Sequence, residues 1–311
     1  MRSRRGFALL ASVWLMAAIA AVALEVSLLT RVRRLATANV IEDEQARAAA
    51  AAALEHARAQ LARALAEAGA PNAVSAADPW RLAAGSRDTV RLDGESYVFD
   101  VRDDGATLDA NRAGEEEIGR LFAACGADAA AASSAAQRIA DWKDADQHRR
   151  SQGAERAEYL AAGVRVLPRD GPVQRVSELN DVLGLPAGPW ACVRSALTVG
   201  GTGQVNVNSA PREVLRALPG ISAASAEAIV ASRRDGAPIS NFQEFVARMP
   251  PALRDEALRA SDRLLPWLAY DTYAVRVHAV GWVPGSPVRV TATALMVRGG
   301  GSVFVQWREF R

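Results

Sequence analysis

Between Gly6 and Gly69 the chain contains neither glycine nor proline, and that absence constrains the fold more than any other feature. Those two residues are the usual helix breakers. The stretch opens with FALLASVWLMAAIAAVAL, Phe7 to Leu24, an almost unbroken apolar run of about 18 residues that nearly crosses a bilayer as a helix. It continues as RLATANVIEDEQARAAAAAALEHARAQLARALAEA, rich in the strong helix formers Ala, Leu, Arg and Glu. Residues 7–68 therefore read as one helix, about 90 Å long at 1.5 Å per residue, with a membrane-anchoring part and a soluble amphipathic part. Arg2, Arg4 and Arg5 ahead of the run favour a cytoplasmic N-terminus, and Arg31, Arg33 and Arg34 beyond it blunt that asymmetry.

Three readings of the N-terminus compete: a signal peptide cut after AVA ahead of Leu24, an uncleaved signal anchor, and a leader cut on the cytoplasmic side between Gly6 and Phe7. A mature chain released from a signal peptide has no reason to prolong the helix of its signal, so the unbroken helix favours the third. RSRRG followed by FALLASVW resembles the leader of the type IV pilin-like proteins. The resemblance implies cleavage between Gly6 and Phe7 by prepilin peptidase and N-methylation of Phe7. Most of that family carry glutamate at the fifth mature position. Here it is Ala11, a departure typical of the K-class minor pseudopilins of type II secretion. The glutamate is thought to pair with the amino terminus of the subunit ahead. A tip subunit has no such neighbour, and an unpaired carboxylate among apolar helices is costly.

Beyond Gly69, Pro71 and Pro79 mark a loop. The segment TVRLDGESYVFDVRDDGATL then reads as short strands, with turn signals at Asp93-Gly94 and Asp104-Gly105 and with Tyr97, Phe99 and Val101 alternating onto one face. Strand patterning resumes only near Tyr273, in YAVRVHAV, VRVTATALMV and SVFVQWREF. Strands at both ends with helical sequence between imply an interrupted sheet. The fold class is α+β: a long N-terminal helix packed on an antiparallel sheet, interrupted by a large all-α insert with two helix-hairpin-helix-like repeats. The expected organisation is a leader at 1–6, the long helix at 7–68, a first β part at 69–107, the insert at 108–268 and a second β part at 269–311. A large helical insertion in such a body is the mark of the K class.

The insert repeats itself, at about 108–199 and 204–268. Asn111 falls on Asn208, Ala113 on Ala210, Gly126 near Gly220, and Ile139 near Ile229 or Val230. In the second copy Ser209 or Asn208 can cap the first helix, Pro211 suits its first turn, Pro219-Gly220-Ile221 makes the hairpin and Ser222 can cap the second helix. Such hairpins can offer turn N–H groups to DNA phosphates, so a membrane-anchored, competence-type DNA receptor is the alternative reading. Ser222 stands where the DNA-binding form has its second glycine, and Glu227 and Asp235 offset Arg233 and Arg234. A terminal sheet is also more than a minimal DNA receptor needs. Near-neutral net charge, +2, gives no global argument for nucleic acid. A structural use of the hairpin is favoured, and a nucleic-acid partner is not expected.

The first repeat is longer by a segment that includes DWKDADQHRRSQGAERAEYL. Asp141, Asp144, Asp146 and Glu155 are closely spaced hard-oxygen donors of the kind that hold calcium, though EF-hand spacing is absent. A solvated acidic loop paired with neighbouring arginines is the plainer reading. The segment resembles the D-W-x-D-x-D…G-A-E-D-x-x-Y stretch of K-class pseudopilins, matched by Asp141, Trp142, Asp144, Asp146, Gly153, Ala154, Glu155 and Tyr159. That resemblance implies a calcium site in the insert. Arg156 departs from the acid common there, and Glu158 can partly compensate. Trp142 reads as a packing anchor. Cys125 and Cys192 lack metal-ligand spacing and form a candidate disulfide in an exported chain; two buried thiols are the other reading.

No G-x-S-x-G, H-E-x-x-H or Walker A motif occurs, and His56, His148 and His278 lie in unrelated contexts. The chain is expected not to be an enzyme. By resemblance it is a scaffold in the bacterial inner membrane with its bulk in the periplasm, joining I-class and J-class minor pseudopilins at the tip of a short filament. The other implied partners are further pseudopilins, the inner-membrane assembly platform and prepilin peptidase.

Overall fold

The computed structural model describes residues 3–67, 87–92, 94–235 and 238–311. Pro71, Pro79 and Asp93, assigned above to a loop and a turn, lie outside the described residues. Helix α1 runs unbroken from Ser3 to Glu67. Residues 12–41 are exposed throughout, and one helical window there is apolar enough to cross a membrane. Burial begins at Ala46 and follows helical spacing through Ala49, Ala50, Ala53, Ala57, Leu61 and Leu65. Among the described residues α1 is the one helix long and apolar enough to serve as a membrane anchor, and it is followed by a folded remainder.

That buried stripe lies on a five-stranded antiparallel sheet ordered β1-β2-β7-β8-β9. Strands β1 (Arg87–Arg91) and β2 (Ser96–Asp103) precede the insert. Strands β7 (Ala274–Trp282), β8 (Arg289–Gly299) and β9 (Ser302–Phe310) follow it. Tyr97, Phe99 and Val101 alternate onto the face that meets α1, together with Val275, Val277 and Ala279. Small residues on both sides let the two backbones come close. At Gly281 a Cβ would fall on the Ala46 carbonyl oxygen and the Ala50 nitrogen.

The register places the insert. Gly281 abuts Ala46 and Ala50, and Ser286 in the β7–β8 connection donates to Glu42 Oε2 at 2.6 Å. That end of the sheet faces the exposed part of α1. Asp103 pairs with Val275 at the other end of the same two strands. The chain leaves the sheet at Asp103 and returns at Ala274, so the insert is rooted at the end of the sheet remote from the anchor.

The insert is helical except for two short parallel ladders, which close its halves. In the first half β3 (Leu108–Asp109) pairs with β4 (Leu197–Thr198) around α2 (Glu115–Ala124), α3 (Ala129–Lys143), α4 (Arg156–Ala161) and α5 (Ala187–Ala196). In the second, β5 (Val205–Asn206) pairs with β6 (Leu268–Ala269) around α6 (Arg212–Ala217), α7 (Ala223–Asp235), α8 (Phe242–Ala247), α9 (Arg254–Arg259) and α10 (Ser261–Leu264). Strands of two residues carry no periodic signal and are invisible to pattern reading.

Hydrogen bonds recur between the halves at matched positions. Asn111 Nδ2 donates to the Val173 carbonyl and Oδ1 accepts from the Val173 N–H, each at 2.8 Å. Asn208 does the same with Ile239, at 2.8 and 2.9 Å. Lys143 Nζ donates to the carbonyls of Ala110 and Ala113, and the Arg233 guanidinium to those of Val207 and Ala210. This last correspondence aligns Ile139 with Ile229. Neither Asn208 nor Ser209 caps α6: Pro211 holds the cap position, Asn208 is committed to Ile239, and Ser209 Oγ donates to Asp103 at 2.6 Å. Ser222 does cap α7, accepting from Ser225 N–H.

Both halves are tied to the sheet through adjacent buried carboxylates. Asp104 accepts from Arg276 and from Thr198 at the end of the first half. Asp103 accepts from Asn206, Ser209 and Thr272 at the start and end of the second. Burial raises the Asp103 pKa despite these donors. The structure joins Cys125 to Cys192 across the first half, with Cα atoms 5.8 Å apart, linking the end of α2 to α5.

Candidate metal centre

The last turn of α3 carries Asp141, fully buried, and Trp142, which packs 5.8 Å from Tyr159 between ring centroids. Asp144 ends the helix. The chain then loops out and returns so that Glu155 opens α4, its N–H bonded to Glu158 Oε2 at 2.9 Å. The return is possible because residue 153 is glycine: a Cβ there would land on the Asp141 carboxylate. Gly153 sits in the cradle that brings Glu155 back to Asp141.

Asp141, Asp144 and Glu155 each present one carboxylate oxygen, and these lie within 4.8 Å of one another. Glu155 is only 3% exposed, and neither of its carboxylate oxygens has a hydrogen-bond partner. Asp144 Oδ1 is likewise buried and unpartnered. Burial first, then the charges of Asp141 and Asp144, push the Glu155 carboxyl up to about 7. A buried carboxyl with no hydrogen-bond partner beside two further carboxylates is an arrangement that a cation would satisfy. The donor set is all hard oxygen, which fits calcium and not a thiolate- or imidazole-seeking ion.

One cation is already near. Arg150 Nη1 lies 2.5 Å from both Asp141 Oδ1 and Asp144 Oδ2, and those bonds raise the Arg150 pKa. It does not bond to Glu155. The plainer sequence reading, an arginine pairing with the acidic loop, therefore holds for two of the carboxylates and leaves the third unanswered.

Asp146 stands apart from the group. It lies beyond the helix end, turned to solvent, and accepts from His148 N–H and Nδ1 at 2.8 and 3.1 Å. Asp170, which has no place in the acidic segment, adds to the negative field at Glu155, more than Asp146 does. Its Oδ1 is buried without a partner, its N–H donates to the Trp142 carbonyl at 3.2 Å, and its φ is +51°. A positive φ at a residue other than glycine is uncommon.

The hairpin turn of the second half is packed against its own chain. Gly220 has φ +71°, and a Cβ there would meet Ala260 and the Glu256 carbonyl. The Ile221 N–H bonds back to the Leu218 carbonyl, which also accepts from Arg120 Nη1 at 2.9 Å. Arg233 is turned inward onto carbonyls, and burial pushes its pKa down to about 10.

Two family models described as type II secretion system (T2SS), protein K match the chain, one over residues 98–201 and the other over residues 205–262, together just over half of it. A chain of the crystal structure of the GspK-GspI-GspJ complex from the enterotoxigenic Escherichia coli type 2 secretion system is similar in fold. Its TM-score is 0.71 at 21% identity, over 88% of this chain and 99% of that one. No curated protein matches the sequence significantly.

Proposed function

This chain belongs to the type II secretion system protein K family, and we propose that it is the minor pseudopilin that ends a short periplasmic filament. The observation that carries this reading is the position of the insert. It grows from the end of the sheet remote from the anchor, where Asp103 pairs with Val275. A helical mass there leaves no room for a further subunit to stack above, while α1 remains free below to pack among other helices. The role is scaffolding rather than catalysis: the tip starts assembly, and the filament helps move folded proteins through the outer membrane.

In this reading the N-terminal helix sits in the bacterial inner membrane and the folded body in the periplasm. Prepilin peptidase cuts between Gly6 and Phe7 and methylates Phe7. The similar fold in a complex titled GspK-GspI-GspJ supports I-class and J-class subunits as partners. Further pseudopilins and the inner-membrane assembly platform complete the set.

Calcium belongs to the same reading. Asp141, Asp144 and Glu155 would hold it, and its charge would satisfy the unpartnered oxygens. Arg150, whose side chain is 35% exposed, has room to release Asp141 and Asp144 as the ion enters. The packed hairpin turn favours this structural role of the insert over DNA binding.

The tip reading is tested by removing residues 108–268 in the native host. Asp103 and Val275 are paired across β2 and β7, so a short linker can join Thr107 to Ala269. Filaments of altered length with impaired secretion are expected, with the truncated chain still in the membrane. Unchanged length and secretion would contradict the reading.

A further inference from the structure

Between Glu25 and Glu42 the helix carries no carboxylate and three arginines, Arg31, Arg33 and Arg34. All three are exposed, and no acidic group among the described residues pairs with them. They lie well before Ala46, where α1 first meets the sheet, so the folded body does not use them.

We propose that Arg31, Arg33 and Arg34 form a collar that binds the phosphates of anionic phospholipids in the leaflet facing the folded body. Depth carries the argument. Phe7 to Leu24 spans about 27 Å, and continuing to Leu29 gives about 34 Å, so the edge of a ~30 Å hydrocarbon core falls between Leu24 and Leu29. Arg31 to Arg34 then begin a few ångströms beyond that edge, at the headgroups. Helical side chains also tilt toward the helix N-terminus. Here the N-terminus lies in the membrane, so the guanidinium groups lean back toward the lipid surface, and each can take a phosphate in a fork of N–H donors. Removal of residues 1–6 takes away Arg2, Arg4 and Arg5, leaving this collar as the anchor's only cluster of positive side chains. The inference rests on the helix spanning the bilayer.

The test uses the chain that begins at Phe7, without Arg2, Arg4 and Arg5, reconstituted in phosphatidylcholine vesicles containing a trace of spin-labelled lipid. The motionally restricted fraction gives the affinity for labelled phosphatidylglycerol relative to labelled phosphatidylcholine. A preference of about fivefold or more is expected, from the gain typical of one surface arginine, and it weakens as salt rises. In Arg31→Gln/Arg33→Gln/Arg34→Gln it falls to near unity with the melting temperature unchanged, since glutamine keeps the helix and the sites lie outside the core. Equal affinities in the unaltered chain, or a preference that survives the triple substitution, overturn the collar and leave the span intact. No restricted lipid of either kind overturns both. Loss of binding to I-class and J-class subunits with no change in lipid preference assigns the arginines to a protein partner and also overturns the proposal.

Discussion

Gly281→Val is expected to lower the unfolding free energy by about 3 kcal/mol, at the upper end of the usual cost of overpacking a core. On intrinsic grounds the substitution should help. Gly281 lies within strand β7, where a β-branched residue is favoured and glycine is costly. The environment reverses the sign. The new Cβ would meet the backbone of α1 at Ala46 and Ala50, and backbone cannot turn aside as a long side chain can. The helix must shift away from the sheet and loosen the alanine stripe from Ala46 to Ala57. Thermal unfolding of the full chain in detergent measures this, with a fall of about 5–10 °C expected for a protein of this size. An unchanged or higher melting temperature would show that α1 does not rest on β7 at this point.

Calcium is the second large effect. At a concentration 100 times its Kd, an ion that binds only the folded state adds about 2.7 kcal/mol, again about 5–10 °C in Tm. The protein in EDTA should therefore melt well below the same protein in excess calcium, with magnesium a weak substitute because it demands a tighter octahedral shell. Asp144→Asn and Glu155→Gln should each abolish most of the response. Arg150→Gln separates the ion from its internal substitute. If calcium replaces the guanidinium, this variant is destabilised in EDTA and restored by calcium. If Arg150 is the permanent counter-ion of Asp141 and Asp144, the loss is the same in both conditions. Equal melting temperatures of the unaltered chain with and without calcium would remove the metal from the account.

The large features of the fold were legible because each rests on a local physical rule. The absence of helix breakers set α1, and alternation at Tyr97, Phe99 and Val101 set the face of β2 that meets it. Asn111 and Asn208 could be aligned because one geometric need, an amide bonding both backbone groups of a distant residue, is met twice by the same side chain. Lys143 and Arg233 meet a shared need with different side chains, so their equivalence is visible only in three dimensions.

The candidate site was half legible. Asp141, Asp144 and Glu155 lie in one segment, and the structure brings them together. Spacing alone groups Asp146 with them. Spacing says nothing about where a helix stops, and α3 stops at Lys143 with Asp144 as its cap, which leaves Asp146 in the outward loop with His148. Asp170 is invisible in the sequence because its approach depends on a backbone turn with positive φ and on the Trp142 carbonyl, neither of which has a sequence pattern. The role of Gly153 depends on Asp141 standing opposite it, a contact across twelve positions in the chain.

Whether this chain works as a pseudopilin subunit can be read from the N-terminal mass of the protein extracted from membranes of its native host. A chain that begins at N-methylated Phe7 is expected. A chain that begins near Leu24, or an uncut chain that begins at Met1, would contradict it.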